Sequence, residues 1–214
     1  MKKCLMLLLG MFAATLAIAD EGRAFALATA GEVDAAFVER VRVNMEKFAG
    51  AAVALAPAVP LEAGQTLESI GLAAAKTLEK GHPGIIVLAR PTDDQPQGVC
   101  LPWEHFAVLN VARLEVDADA AKAERRAGQE GLRVMSMLLG MSQCPFPLCV
   151  LTGYEKTADL DQMSGNFCPP CHDRFLRLAR EAGLRIIETD ELAPAVAEAA
   201  PVAEEAAPAP GAAE

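Results

Sequence analysis

A chain of 214 residues, 52% apolar and 22% charged, has room for one folded domain with tails, which excludes a wholly disordered protein. Its formal charge is −10, from 29 acidic against 19 basic residues, and no block of five Lys or Arg occurs, so no nucleic-acid partner is expected. Aromatic residues make up 5%, with one Trp and one Tyr, too few for a base-stacking platform or a ring-lined sugar groove.

The chain opens with Met1-Lys2-Lys3, an apolar stretch from Leu5 to Ile18 and the small residues Ala17-Ile18-Ala19, the pattern of a secretory signal over residues 1–19. That run is short for a bilayer span, and no later segment reaches the roughly 20 apolar residues such a span needs. A secreted or periplasmic location is therefore expected, with no membrane partner after signal cleavage. Arg23–Ala30 reads as a strand, and Val33–Phe48 as a helix with Val33, Phe37, Val41, Met45 and Phe48 on one face. Ala51–Leu55 is a second strand, Thr66–Lys80 a helix opened by Thr66, and Gly84–Ala89 a compact β-branched strand. A polar turn over Pro91–Gly98 leads to a strand at Phe106–Val111. A long helix then runs from Asp117 to Leu139 with Leu132, Met135, Leu138 and Leu139 facing inward. Repeated βα units imply an α/β fold, a mixed, mostly parallel sheet with covering helices. The last segment, 190–214, holds eleven Ala, four Pro and six acidic residues without one base, and reads as a disordered tail. One domain over 20–189 remains.

The most specific signal is the cysteine spacing. Cys144-Pro-Phe-Pro-Leu-Cys149 and Cys168-Pro-Pro-Cys171 form two thiol pairs, C-x4-C and C-x2-C, that can converge on one tetrahedral zinc ion. A closed shell of four thiolates is structural, because no position stays open for a substrate. Disulfides are the alternative, since an exported chain meets an oxidising compartment. Cys168-Pro-Pro-Cys171-His172 also spells the attachment signature of haem c, although Cys144 and Cys149 would then be left over.

These residues resemble the archaemetzincins, zinc metalloproteases of the metzincin type, which carry H-E-x-x-H-x-x-G-x-x-H-C-x4-C-x-M followed by C-x-x-C. Gly140, Cys144, Cys149, Cys168 and Cys171 fall at matching positions. Leu109–Leu114 resembles the strand before the family's long helix, Cys171–Leu184 its closing helix, and the likeness runs over about residues 84–184. The resemblance implies one structural zinc on the four cysteines, beside the helix that carries the catalytic metal in the family. At the family's three zinc-binding histidines, however, this chain has Arg133, Met137 and Gln143. At the catalytic glutamate it has Val134, and at the Met-turn methionine Leu151. A guanidinium cannot ligate a cation, a thioether binds zinc poorly, and a valine accepts no proton. The chain's three histidines, His82, His105 and His172, are scattered, so no shift of register restores the motif.

The reading that follows is an inactive peptidase-like domain whose cleft, beside an edge strand near Phe106–Val111, binds an extended peptide or protein. Met137 is expected to fill space vacated by imidazoles, Arg133 to pair with Glu130, and Gly140 to turn the chain. Cys100 is expected to be a small buried hydrophobe. The competing reading is a hydrolase with a site around Glu104, His105 and Asp93 or Asp94.

Overall fold

The computed structural model describes residues 23–79 and 81–188; the signal reading and the tail reading lie outside them. Five strands form one sheet: β1 (Phe25–Ala30), β2 (Val53–Leu55), β3 (Ile85–Ala89), β4 (Gly98–Leu101) and β5 (Phe106–Asn110), in the order β2-β1-β3-β5-β4. All neighbours run parallel except β4, which pairs antiparallel with β5. The helices are α1 (Ala35–Ala49), α2 (Leu67–Ala75), the short α3 (Val111–Leu114), α4 (Ala120–Leu138) and α5 (Pro169–Glu181). The expected mixed, mostly parallel α/β sheet is the one observed.

The central strands are apolar on both faces because both faces are covered. Phe25, Leu27, Ile86, Leu88, Ala107 and Leu109 point into one core with residues of α1, α4 and α5. Ala26, Ala28, Ile85, Val87, Phe106 and Val108, the alternate residues, point into a second core with Leu67, Ile70 and Ala74 of α2. The connections β1-α1-β2 and β2-α2-β3 move in opposite directions along the sheet, so a constant crossover hand sends α1 and α2 to opposite faces.

Cap chemistry fixes the helix ends. The Asp34 carboxylate accepts from the Phe37 backbone N–H at 2.7 Å and opens α1, and Gly50 closes it at φ 65°. Asp119 accepts from the Lys122 N–H at 2.8 Å and opens α4. At the other end of α4 the Met141 N–H donates to the Ser136 carbonyl and the Gly140 N–H to that of Met137, a Schellman motif with Gly140 at φ 79°. This turn aims the chain at Cys144, the backbone role expected of Gly140. Beyond α5, the segment Leu184–Ile187 returns to the sheet. Main-chain bonds run from Arg23 to Gly183, from Arg185 to Arg23, from Ala52 to Arg185 and from Ile187 to Gly50.

Three expectations are corrected. The segment after Pro91–Gly98 is a strand, β4, and it is β4 that forms the sheet edge; the Phe106–Val111 segment is interior, with β3 on one side and β4 on the other. That strand ends at Asn110, and Val111 begins α3. α2 stops at Ala75 rather than Lys80, where the Thr77 hydroxyl takes the Ala74 carbonyl at 2.8 Å. No helix among the described residues is long and apolar enough to cross a membrane.

Candidate metal centre and adjoining cleft

The Schellman turn after α4 delivers Cys144, a tight turn delivers Cys149, and the first turn of α5, stiffened by Pro169 and Pro170, delivers Cys168 and Cys171. Their four Sγ atoms lie within 4.8 Å of one another. Cys144 and Cys168 are 3.9 Å apart at sulfur, whereas zinc–sulfur bonds of about 2.3 Å put tetrahedral neighbours about 3.8 Å apart. No pair among the described cysteines is joined. Cys149 and Cys168 are buried and the other two half-buried, so the quartet is closed by protein. The backbone N–H of Phe146 donates to Cys144 Sγ and that of Cys168 to Cys149 Sγ, each at 3.4 Å. Such donors stabilise thiolates. The Cys171 backbone N–H draws the Cys168 thiol below its usual range, while burial pushes those of Cys149 and Cys171 up. Donor type, number and convergence all fit a tetrahedral thiophilic ion.

Along the same helix lies a cleft of about 300 Å³ between α4 and the edge strand β4. Arg133, Val134, Met137 and Gln143 all line it, opposite Gly98, Val99 and Cys100. The four positions singled out in the sequence therefore share one surface. Arg133 is 8% exposed, its Nε is 3.0 Å from Glu130 Oε1, and Nη1 donates to the carbonyls of Val150 and Thr152, each at 2.6 Å. Its guanidinium sits over the Tyr154 ring, 4.8 Å from the centroid. The pairing with Glu130 is the expected one; the bonds across to residues 150–154 are additional.

Met137 departs from expectation: it is 40% exposed and stands on the cleft wall rather than filling a void. Glu130 is buried, which pushes its carboxyl up against the opposing pull of Arg133 and of the Tyr154 hydroxyl. Burial and Glu130 push the Tyr154 phenol up in turn. Gln97 donates to the Tyr154 oxygen and accepts from the Thr157 hydroxyl. Gln97, Tyr154 and Thr157 had no signature in the sequence, except that Tyr154 is its one tyrosine.

Cys100 is half-buried on β4, and burial holds its thiol up at about 11. His105 lies before β5, its Nδ1 3.2 Å from the Pro83 carbonyl, beside the 3-10 turn Pro102–Glu104 with Trp103 72% exposed. Asp94 pairs with Arg113, past the other end of β5. The residues proposed for a separate hydrolytic site are thus set at opposite ends of one strand. His172, in the first turn of α5, packs against Phe167 with ring centroids 6.0 Å apart.

No protein-family model and no curated relative matches the chain. Solved structures do. An archaemetzincin from Methanopyrus kandleri superposes with a TM-score of 0.60 at 18% identity, over 73% of this chain and 96% of its own. A zinc-dependent peptidase from Methanocorpusculum labreanum gives 0.61 at 16% identity, over 71% and 100%. An archaemetzincin from Archaeoglobus fulgidus, complexed with malonate, gives 0.54 at 22%, over 70% and 98%. The fold is the archaemetzincin fold, with a four-cysteine cluster able to hold a metal ion.

Proposed function

We propose that this chain is an exported, archaemetzincin-like domain that keeps one structural zinc, lacks the catalytic one, and binds a peptide or protein rather than cleaving it. The observation that carries the reading is the pairing of two neighbouring sites on α4: four converged thiols beside a cleft whose floor holds a guanidinium. Cys144, Cys149, Cys168 and Cys171 would hold the ion, which supplies a redox-inert crosslink between the end of α4 and the start of α5. The convergence of Cys144 and Cys149 on the same point as the other pair favours this shell over haem attachment at Cys168, Cys171 and His172.

In the cleft, Arg133, Val134, Met137 and Gln143 offer neither an imidazole pair nor a carboxylate to take a proton from water. What the cleft does offer is an open strand edge. In the antiparallel register, Gln97 and Asn110 bond across the pair, so Gly98 and Cys100 turn their N–H and C=O groups outward. An extended segment can add there, with an apolar side chain against Cys100, Val134 and Met137, since Cys100 is the β4 side chain on the α4 face.

Metal analysis of the purified mature chain tests the reading, combined with a peptidase assay on a mixed peptide substrate. One zinc per chain without cleavage is expected. Two metals per chain, or cleavage that disappears in His105→Ala, would favour the hydrolase instead.

A further inference from the structure

The two sites share one turn. Cys149 begins it, Thr152 ends it, and the Thr152 N–H closes it onto the Cys149 carbonyl at 3.0 Å. Between them, the Leu151 carbonyl accepts from the N–H of Cys144, the first quartet residue, at 3.0 Å, and the Val150 N–H donates to Asn166 at 2.7 Å. The outward carbonyls of this same turn, those of Val150 and Thr152, are the two that Arg133 Nη1 holds. The guanidinium therefore stands with its stem in the cleft floor and its head on the peptide units that orient two sulfurs. Its counter-ion, Glu130, is one helical turn back on α4, and its stacking partner, Tyr154, is another wall of the cleft.

We propose that Arg133 is a positioning residue that couples the two sites: it fastens the turn Cys149–Thr152 to α4, so that the quartet's hold on its ion and the shape of the cleft change together. This rests on the zinc reading above. The physical basis is outer-shell support. A ligand held by a bonded peptide unit leaves the metal only after that unit moves, and here the unit cannot move without drawing the buried guanidinium out of its bonds. Coupling of this kind is reciprocal, so a ligand seated between β4 and α4 slows loss of the ion, and loss of the ion loosens the cleft.

The test uses the zinc-loaded mature chain and its rate of zinc release to a chromogenic chelator. Arg133→Gln, which loses the charge and the fork, is expected to release zinc at least about tenfold faster. Arg133→Lys, which keeps the charge but not the two-carbonyl grip, falls between the two. Val38→Ala, in the core on α1 and away from the turn, lowers global stability and is expected to release zinc within about twofold of wild type. A second readout is the Tyr154 ring resonance. Replacing zinc by the larger cadmium ion moves it in the wild type and leaves it in place in Arg133→Gln.

Release from Arg133→Gln at the wild-type rate overturns the proposal, as does equal acceleration by Val38→Ala or a Tyr154 ring indifferent to the ion in the wild type. Should Arg133→Gln not fold, Arg133→Lys decides: release about threefold faster supports the coupling, and an unchanged rate overturns it. A chain that purifies with no ion overturns the metal centre itself, and the coupling with it; a one-zinc chain indifferent to Arg133 overturns the coupling alone.

Discussion

Arg126 shows how single side chains hold the scaffold of this site. It is 1% exposed on α4, and its guanidinium grips Asp161 through two bonds of 2.7 and 2.8 Å while Nη1 takes the carbonyls of Leu114 and Val116. Asp161→Ala strands that charge and is expected to cost about 3 kcal/mol, read as a lower urea midpoint at pH 7. Arg126 also holds the Asp161 carboxyl below its usual range. Its contribution is therefore complete above the unfolded value near 4 and is lost as pH falls through the lower folded value. The wild type should lose stability relative to Asp161→Asn over that acid window, and parallel urea curves from pH 5 to pH 2 check it. Cys100 gives a different test. Its half-buried thiol, raised to about 11, should react slowly with an alkylating reagent at pH 8. The quartet should resist the reagent until a chelator is added. Cys168, whose thiol is drawn down, should then react ahead of Cys149 and Cys171, whose thiols burial pushes up, and mass spectrometry reads the order directly.

Among the elements, two glycines separate steric from conformational cost. A Cβ on Gly71 of α2 would sit 2.1 Å from the Phe106 ring, so Gly71→Ala pushes α2 off β5 and is expected to cost about 2 kcal/mol. A Cβ on Gly140 would meet nothing within 4 Å, yet φ is +79°, so Gly140→Ala costs about 1 kcal/mol from backbone strain alone. Thermal unfolding of both variants measures these values. Metal content should fall only for Gly140→Ala, whose turn aims Cys144.

Elements of this kind differed in how clearly the sequence announced them. The faces of α1 and α4 repeat every three to four residues over 15 and 19 residues, and β3 is a run of five buried apolar residues, so periodicity found all three. β4 has four residues, all of intermediate burial, starts on Gly98 and is stopped by Pro102, and shows no alternation to find. Missing it put the sheet edge on the wrong strand. The quartet was legible because ligand spacing is local. So was the Arg133–Glu130 pair, three residues apart on one helix. The bonds from Arg133 to Val150 and Thr152 span 17 and 19 residues and left no local mark.

At the scale of the whole molecule, the quartet joins the end of α4 to the start of α5, and α5 packs Phe175 and Ala179 into the same core as β1 and β3. Removing the ion lets the sulfurs take up protons and takes away the crosslink between the two helices, so this corner should loosen first. Calorimetry of the chelated chain is expected to show a melting temperature lower by on the order of 10 °C. Readdition of zinc should restore it.

The return of Leu184–Ile187 to the first two strands has a consequence for how the molecule is made. Arg23 and Ala52 near the beginning complete their main-chain bonds with residues some 130 to 160 positions further on. Such distant partners make closure late and slow, because the whole intervening loop must be ordered first. The chain therefore stays open along that margin until Leu184–Ile187 have been made and brought back to it, and ending it before Leu184 would leave the margin open permanently.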